Sequence, residues 1–343
     1  MSSSFSSSTS PPSFHSSYVE LETETHFEMG LKLGQLLGPQ LRRLLTSKTS
    51  EPGWPARRQE GVRRLALCDR DPFRGYLLEL QGYALAARVC FEDLWTAALE
   101  DDLGADRCTS LITNDGQLVG HNEDWDAEAQ NSLFVLRRTV AGFTVLELFY
   151  FYTMGGGGAS VNSAGVVQII NSLCHRDHRE GTPGALLARR LSETADPQAD
   201  YASLIQSSDG GRGLCFSHTF AKPDGGLFNI ETSSLASAAI QPSAPFVHAN
   251  HYLIPEMQQF EATTNSTHTL QRYSAGIELV RPHMEVDELL SLLSDTSAGP
   301  TASIFNERTI GRVVFDRSAQ VAKIWLRREA ERGWVDYPFP VKK

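Results

Sequence analysis

The chain has 343 residues, of which 41% are hydrophobic, 21% charged and 9% aromatic. That composition excludes a wholly disordered or collagen-like chain and leaves enough apolar material for a sizeable core. Lys and Arg number 31 against 41 Asp and Glu, a net charge of −10. This argues against nonspecific nucleic-acid binding, which needs a basic face. The basic runs, such as Arg57-Arg58 and Arg327-Arg328, are two residues long and read as solvated faces.

Five cysteines lie far apart, at Cys68, Cys90, Cys108, Cys174 and Cys215, with no Cys-x-x-Cys pair. An odd count in a chain of this size points to reduced thiols and a cytoplasmic location. No apolar run approaches the roughly 18 residues of a membrane span, so no membrane partner is expected. Residues 1–17 are Ser-rich and broken by Pro11-Pro12, without the basic and apolar stretches of a secretory signal. They read as a disordered tail.

Ordered sequence is expected from Tyr18, as a strand and then a helix in which Phe27, Leu31, Leu37, Leu41 and Leu44 share a face. Gly34 on that face marks a close packing contact or a weak point. Residues 45–60 read as a loop. Helical periodicity returns from Glu60 to Glu100, with Leu77, Leu80, Tyr83 and Ala84 on one face and Phe91, Leu94 and Ala98 on another. Residues 18–107 thus form a helical N-terminal segment.

The texture changes at Cys108. Two apolar runs joined by Asn114-Asp115-Gly116 predict a hairpin. Further hairpins are expected across Ala141-Gly142, Asn162–Gly165, Pro223–Gly226 and Asp316–Ala319. The four glycines at 155–158 lack the spacing of a phosphate-binding loop and read as a flexible loop or a close backbone approach. Residues 183–207 predict two helices broken at Pro197, and residues 284–296 a short one. Many antiparallel strands with helices before and between them give an α+β fold of two sheets flanked by helices.

Cys108 opens the first hairpin and is followed by polar Thr109 and Ser110. A turn at Asn114–Gly116 brings Gly120-His121-Asn122-Glu123-Asp124-Trp125 back beside it. Asn171 ends one later apolar strand, and His248-Ala249-Asn250-His251 ends another. The default reading of a lone Cys is a small buried hydrophobe, but this polar company is unusual for one.

The order Cys-Thr-Ser, Gly-His-Asn-Glu-Asp-Trp, Asn-Ser-Ala-Gly-Val at 162–166 with Asn171-Ser172-Leu173, and His248-Ala249-Asn250-His251-Tyr252 resembles the penicillin acyltransferase family. Its members are self-cleaving N-terminal-nucleophile (Ntn) hydrolases. The resemblance runs from about Glu20 to Arg328. It implies a four-layer αββα sandwich, a cut between Arg107 and Cys108, and a catalytic segment 108–343. It also implies Cys108 as nucleophile, Asp124 as the carboxylate orienting its amine, and Asn250 as oxyanion donor. Asn171, Thr109 and Ser110 are further candidates for substrate or oxyanion contacts. The family usually has Gly before the nucleophile, and here Arg107 stands there. Near the C-terminus the family commonly places an Arg where this chain has Asn306; either Arg308, two residues on, substitutes for it, or the acyl group recognised differs.

The expected chemistry is acyl transfer from a small amide or thioester to water or an amine, with no cofactor. The alternative is an uncut, inactive member of the family that binds a small molecule. Zinc on Cys174, His175 and His178 or on His248 and His251 is the third reading, set aside for want of four convergent ligands. Acyl donor, acceptor and oligomeric state are not legible.

Overall fold

A computed structural model of the protein describes residues 14–99, 108–177, 179, 181–207, 215–262 and 267–341. Strand β1 (Tyr18–Thr23) leads into helices α1 (His26–Thr49), α2 (Trp54–Cys68), α3 (Arg74–Ala87) and α4 (Phe91–Ala98). The hairpin β2 (Thr109–Thr113) and β3 (Leu118–Asp124) follows, then β4 (Leu133–Val140), β5 (Phe143–Tyr150), β6 (Ser160–Asn162) and β7 (Val167–Ser172). Helices α5 (Gly184–Ser192) and α6 (Pro197–Ser207) precede β8 (Phe216–Ala221), β9 (Leu227–Thr232), β10 (Ser237–Ile240) and β11 (Phe246–His248). The chain ends with α7 (Thr267–Leu279), α8 (Val286–Leu292), β12 (Thr309–Asp316), β13 (Val321–Leu326) and β14 (Val335–Pro338).

The strands form two sheets. One has eight in the order β1-β4-β5-β6-β7-β8-β9-β10, the other six in the order β11-β2-β3-β12-β13-β14. Neighbours are antiparallel except β1 and β4. The sheets stack face to face: Ser110 of β2 reaches Asn171 of β7, and Glu123 of β3 reaches Tyr150 of β5. The helices α1, α3, α4 and α5 share one apolar core with the eight-stranded sheet, while α8 packs with β2, β3 and β12 of the other. The result is a four-layer αββα sandwich, as expected. All five expected hairpins are present, and so is the break at Pro197, which opens α6.

The outer helical layer is set by small residues. Thr25 caps α1 in a capping box with Glu28. Gly30, Gly34 and Gly38 line the contact with α3; a Cβ at Gly34 would lie 2.6 Å from the Tyr83 carbonyl. Gly34 is therefore a close-packing residue. The buried stripe is shifted from the predicted one to Met29, Leu33, Leu37, Leu41 and Leu45, and Phe27, Leu31 and Leu44 are only half-buried. The glycines fix where α3 sits, and the leucines flanking them follow. The predicted loop at 45–60 is mostly helix: α1 runs to Thr49 and α2 starts at Trp54, with Pro55 in its first turn, where a missing amide costs nothing.

Phe14–Ser17, which the sequence places in the tail, are tied down, with His15 and Ser17 buried. His15 bonds the Tyr337 hydroxyl, and Ser17 bonds the Glu329 carboxylate through amide and hydroxyl. The glycine run is a close approach rather than an open loop: Gly155 and Gly156 have φ of 76°, and a Cβ at Gly156 would meet Arg189 Cα at 2.4 Å. The Gly156 amide donates to Glu147, part of a buried charge cluster with Arg138, Arg189, Glu79 and Glu193.

Burial by itself would raise the Glu79 carboxyl, but Arg189 and His26 overcome it and hold it at about 2, below its ordinary 4.5. A depressed carboxyl contributes stability that is complete above its unfolded value and lost as pH falls through the folded one. Thermal unfolding should therefore show the wild type losing stability between about pH 5 and pH 2 more steeply than Glu79→Gln.

Candidate active site

The β2–β3 hairpin is buried along its whole length on both strands. One face meets the other sheet and the opposite face meets α7 and α8, so alternation divides its polar residues into two sets. Thr109 pairs with Asn122 and Ser110 with His121. Thr109, Asn122 and Asp124 face the helical layer; Ser110, His121 and Glu123 face the sheet. Buried polar groups this dense must satisfy one another.

On the helical face the organising group is Arg272 of α7, 2% exposed. Its Nη1 donates to the Cys108 carbonyl at 2.7 Å and to Thr109 Oγ1 at 2.8 Å, and its Nη2 donates to Asn250 Oδ1 at 3.0 Å. Asp124 Oδ2 lies 3.7 Å from Nη1. Asp124 also accepts from Thr309 Oγ1 at 2.6 Å and Asn306 Nδ2 at 2.9 Å. Burial pushes the Asp124 carboxyl up, against the pull of Arg272 and these two bonds. Asn250 Nδ2 donates to the Ser172 carbonyl at 2.9 Å, and its amide to Thr269 Oγ1 at 2.8 Å. Four predicted residues, Cys108, Thr109, Asp124 and Asn250, thus converge on one guanidinium that the sequence reading did not single out. Its signal was available: Thr269, Arg272 and Gly276 lie at three- and four-residue steps, so an arginine occupies a buried stripe.

On the sheet face Ser110 Oγ donates to Asn171 Oδ1 at 2.8 Å and lies 3.0 Å from His121 Nδ1. His121 Nε2 faces Glu123 Oε2 at 3.1 Å, and Glu123 Oε1 accepts from the Tyr150 hydroxyl at 2.8 Å. Asn171 Nδ2 is buried with no partner among the described residues. The ligand atoms of Cys108, His121 and Glu123 lie within 4.8 Å of one another. Cys108, Glu123, Trp125, Tyr150, Ser172 and Phe216 border a cavity of about 20 Å³, room for about one water. Cys108 itself has φ of 80°, a region that costs a non-glycine residue about 1–3 kcal/mol. His121, Glu123 and Tyr150 were not among the predicted site residues, although strict alternation from Ser110 would place the first two.

Arg308 is not brought to Cys108. Its guanidinium pairs with Asp126 at 3.0 Å and is 40% exposed, while Asn306 turns inward to Asp124. Arg107 and His178 lie outside the described residues. His175 is bonded to Asp177, His248 to Glu231 and His251 to Thr269. None of them joins a three-ligand cluster among the described residues. No helix of the described residues is long and apolar enough to cross a membrane.

The frame of the site is a four-layer sandwich with Cys108, at positive φ, heading a buried strand. The family described as acyl-coenzyme A:6-aminopenicillanic acid acyl-transferase matches residues 111–331, and the chain belongs to that family. No curated protein matches it. Among solved structures it is similar to penicillin V acylase from Agrobacterium tumefaciens, at 11% identity and a TM-score of 0.38, over 64% of this chain and 83% of that one. It is also similar to a mutant of conjugated bile acid hydrolase from Clostridium perfringens, at 9% identity and a TM-score of 0.41, over 68% and 92%.

Removing Arg272 leaves Asp124 buried without its counter-charge, a loss worth about 3–5 kcal/mol for such pairs. Arg272→Met should show a loss of that size in urea denaturation. The double variant with Asp124→Asn should recover part of it, since the uncompensated charge is then gone.

Proposed function

We propose that this protein is an Ntn-type cysteine amidohydrolase or acyltransferase that forms an acyl-enzyme on Cys108. The observation that carries the reading is the convergence of Cys108, Thr109, Asp124 and Asn250 on Arg272 behind a strained cysteine. In the maturation step Cys108 Sγ attacks the Arg107 carbonyl and the peptide nitrogen leaves as the new α-amine. Water then hydrolyses the resulting thioester, leaving a carboxylate on Arg107. The positive φ of Cys108 stores strain next to the bond that breaks. The two products would be fragments 1–107 and 108–343.

In turnover the α-amine, with an ordinary pKa near 8, takes the thiol proton. Asp124, fixed by Thr309, Asn306 and Arg272, orients this end of the chain. The thiolate attacks a small amide or thioester, the leaving group departs, and water or an amine takes the acyl group. Asn171 is well suited as an oxyanion donor because its Nδ2 is buried and unpaired among the described residues. Asn250 Nδ2 already donates to Ser172, so its use in catalysis requires that bond to be shared. Arg308 has no role near the thiol in this arrangement.

Denaturing mass spectrometry of wild type beside Cys108→Ala is the direct test. Two fragments in the wild type and one chain in the variant are expected; one chain in both removes the α-amine mechanism and favours the uncut binding protein. Assays with N-acyl amino acids, and with acyl-coenzyme A plus an amine, should show activity lost in Cys108→Ala. Asn171→Ala should reduce kcat by about 10²–10³, the usual loss for an oxyanion donor, with little change in KM.

A further inference from the structure

We propose that Cys108, His121 and Glu123 form a Zn²⁺ site, and that an ion bound there silences the thiol. Its inhibitory consequence rests on Cys108 being the nucleophile; the binding itself does not.

Ser110 has one hydroxyl proton, and the Asn171 amide, turned with its oxygen on Ser110, takes it. His121 Nδ1 is then the donor to Ser110 Oγ, and in the neutral ring Nε2 carries a lone pair. That lone pair faces Glu123 Oε2 at 3.1 Å. Two lone pairs at that separation repel unless a cation lies between them, and the candidates are a proton or a metal ion.

The residue types and spacing suit zinc. A tetrahedral Zn²⁺ takes Cys sulfur at about 2.3 Å, His nitrogen at about 2.0–2.1 Å and carboxylate oxygen at about 2.0–2.2 Å. Those bonds put neighbouring donors roughly 3.3–3.8 Å apart. The three ligand atoms here already lie within 4.8 Å of one another, so closure needs a shift of about 1 Å. The thiolate and carboxylate cancel the ion's charge, which removes the penalty on a buried ion. The small cavity beside Cys108 and Glu123 has space for the single water that fills a fourth position.

The outer partners are also in place. Ser110 fixes the His121 ring through Nδ1, and Tyr150 holds Glu123 through Oε1. His121 and Glu123 are thus each tethered by the atom the metal does not need, the usual support of metal-binding His and carboxylate groups. All three ligands lie on or beside one buried hairpin, so little ordering is left to binding. On binding, the Cys108 thiol loses its proton to solvent and its sulfur bonds the ion. A sulfur lone pair committed to zinc no longer attacks a carbonyl.

The test uses the purified protein with all of its chain retained, cut or uncut, stripped with chelator and titrated with Co²⁺ as a spectroscopic probe and with Zn²⁺ in competition. Expected are one ion per chain, a thiolate-to-cobalt charge-transfer band, displacement of cobalt by zinc, and protection of Cys108 from iodoacetamide. Cys108→Ala should abolish the band. His121→Gln and Glu123→Gln should each weaken binding at least tenfold. Tyr150→Phe, which keeps every ligand and guards against misfolding of the others, should weaken it about tenfold. Absence of the band in the wild type, or equal affinity in Cys108→Ala or in both ligand variants, overturns the proposal. Acyl-transfer assays without metal address the nucleophile separately, so either reading can fail alone.

Discussion

A guanidinium with almost no access to water sits where four chain segments meet. Arg272 reaches from α7 to the Cys108 carbonyl, to Thr109, to Asp124 and to Asn250 at the end of β11. Each of those groups is buried, and none could remain so without a partner. Arginine is suited to the task because its planar fork offers several fixed donors and does not lose its charge. Its position depends in turn on Gly276, one turn on, which lets α7 come down onto Val247 and Leu111. The site is therefore held by a helix seated closely on a sheet, with one charge serving both packing and polar satisfaction.

The second constraint is the period of two along a strand. Because β2 and β3 are buried on both faces, successive residues serve different neighbourhoods. Asp124 belongs to the arginine side and Glu123 to the tyrosine side, although they are adjacent in sequence. The two carboxylates are kept apart in role by pleating alone, and a slip of one residue in the hairpin would exchange them. The turn at Asn114–Gly116 fixes the register: Asn114 and Asp115 both take positive φ, and the Asn114 side chain bonds Met284 in the segment before α8.

Much of this was legible in the sequence where local chemistry decides the outcome. Turn residues such as Asp115-Gly116 and Ala141-Gly142 announced their hairpins, and the change of texture at Cys108 marked the start of the buried central strands. Asp124, Asn250 and Thr109 could be placed from the order of short motifs. Arg272 escaped because its segment, Thr267–Leu279, is polar at many positions and its importance lies in partners 22 to 164 residues away. Arg308 was placed by counting from a motif, but the inward-facing position belongs to Asn306, and a side chain two residues further on in that turn faces Asp126. His121 and Glu123 lay within a quoted motif, yet their closeness to the thiol depends on which face each strand residue takes. The packing of His15 and Ser17 was hidden because their partners, Tyr337 and Glu329, lie more than 300 residues away.

The parallel pairing of β1 with β4 carries a consequence for a chain severed ahead of Cys108. Strand β1 would stay hydrogen-bonded at the sheet edge, Ser17 on Glu329, and α1 and α3 over the core. The severed pieces would behave as a tightly clasped heterodimer with a shared interior. Gentle handling would not separate them, but denaturant would, and their reassembly would then be a second-order encounter. Recovery from full unfolding would depend on protein concentration, while that of the intact precursor would not. Scission would thus leave a fold whose persistence is set by how slowly it comes apart.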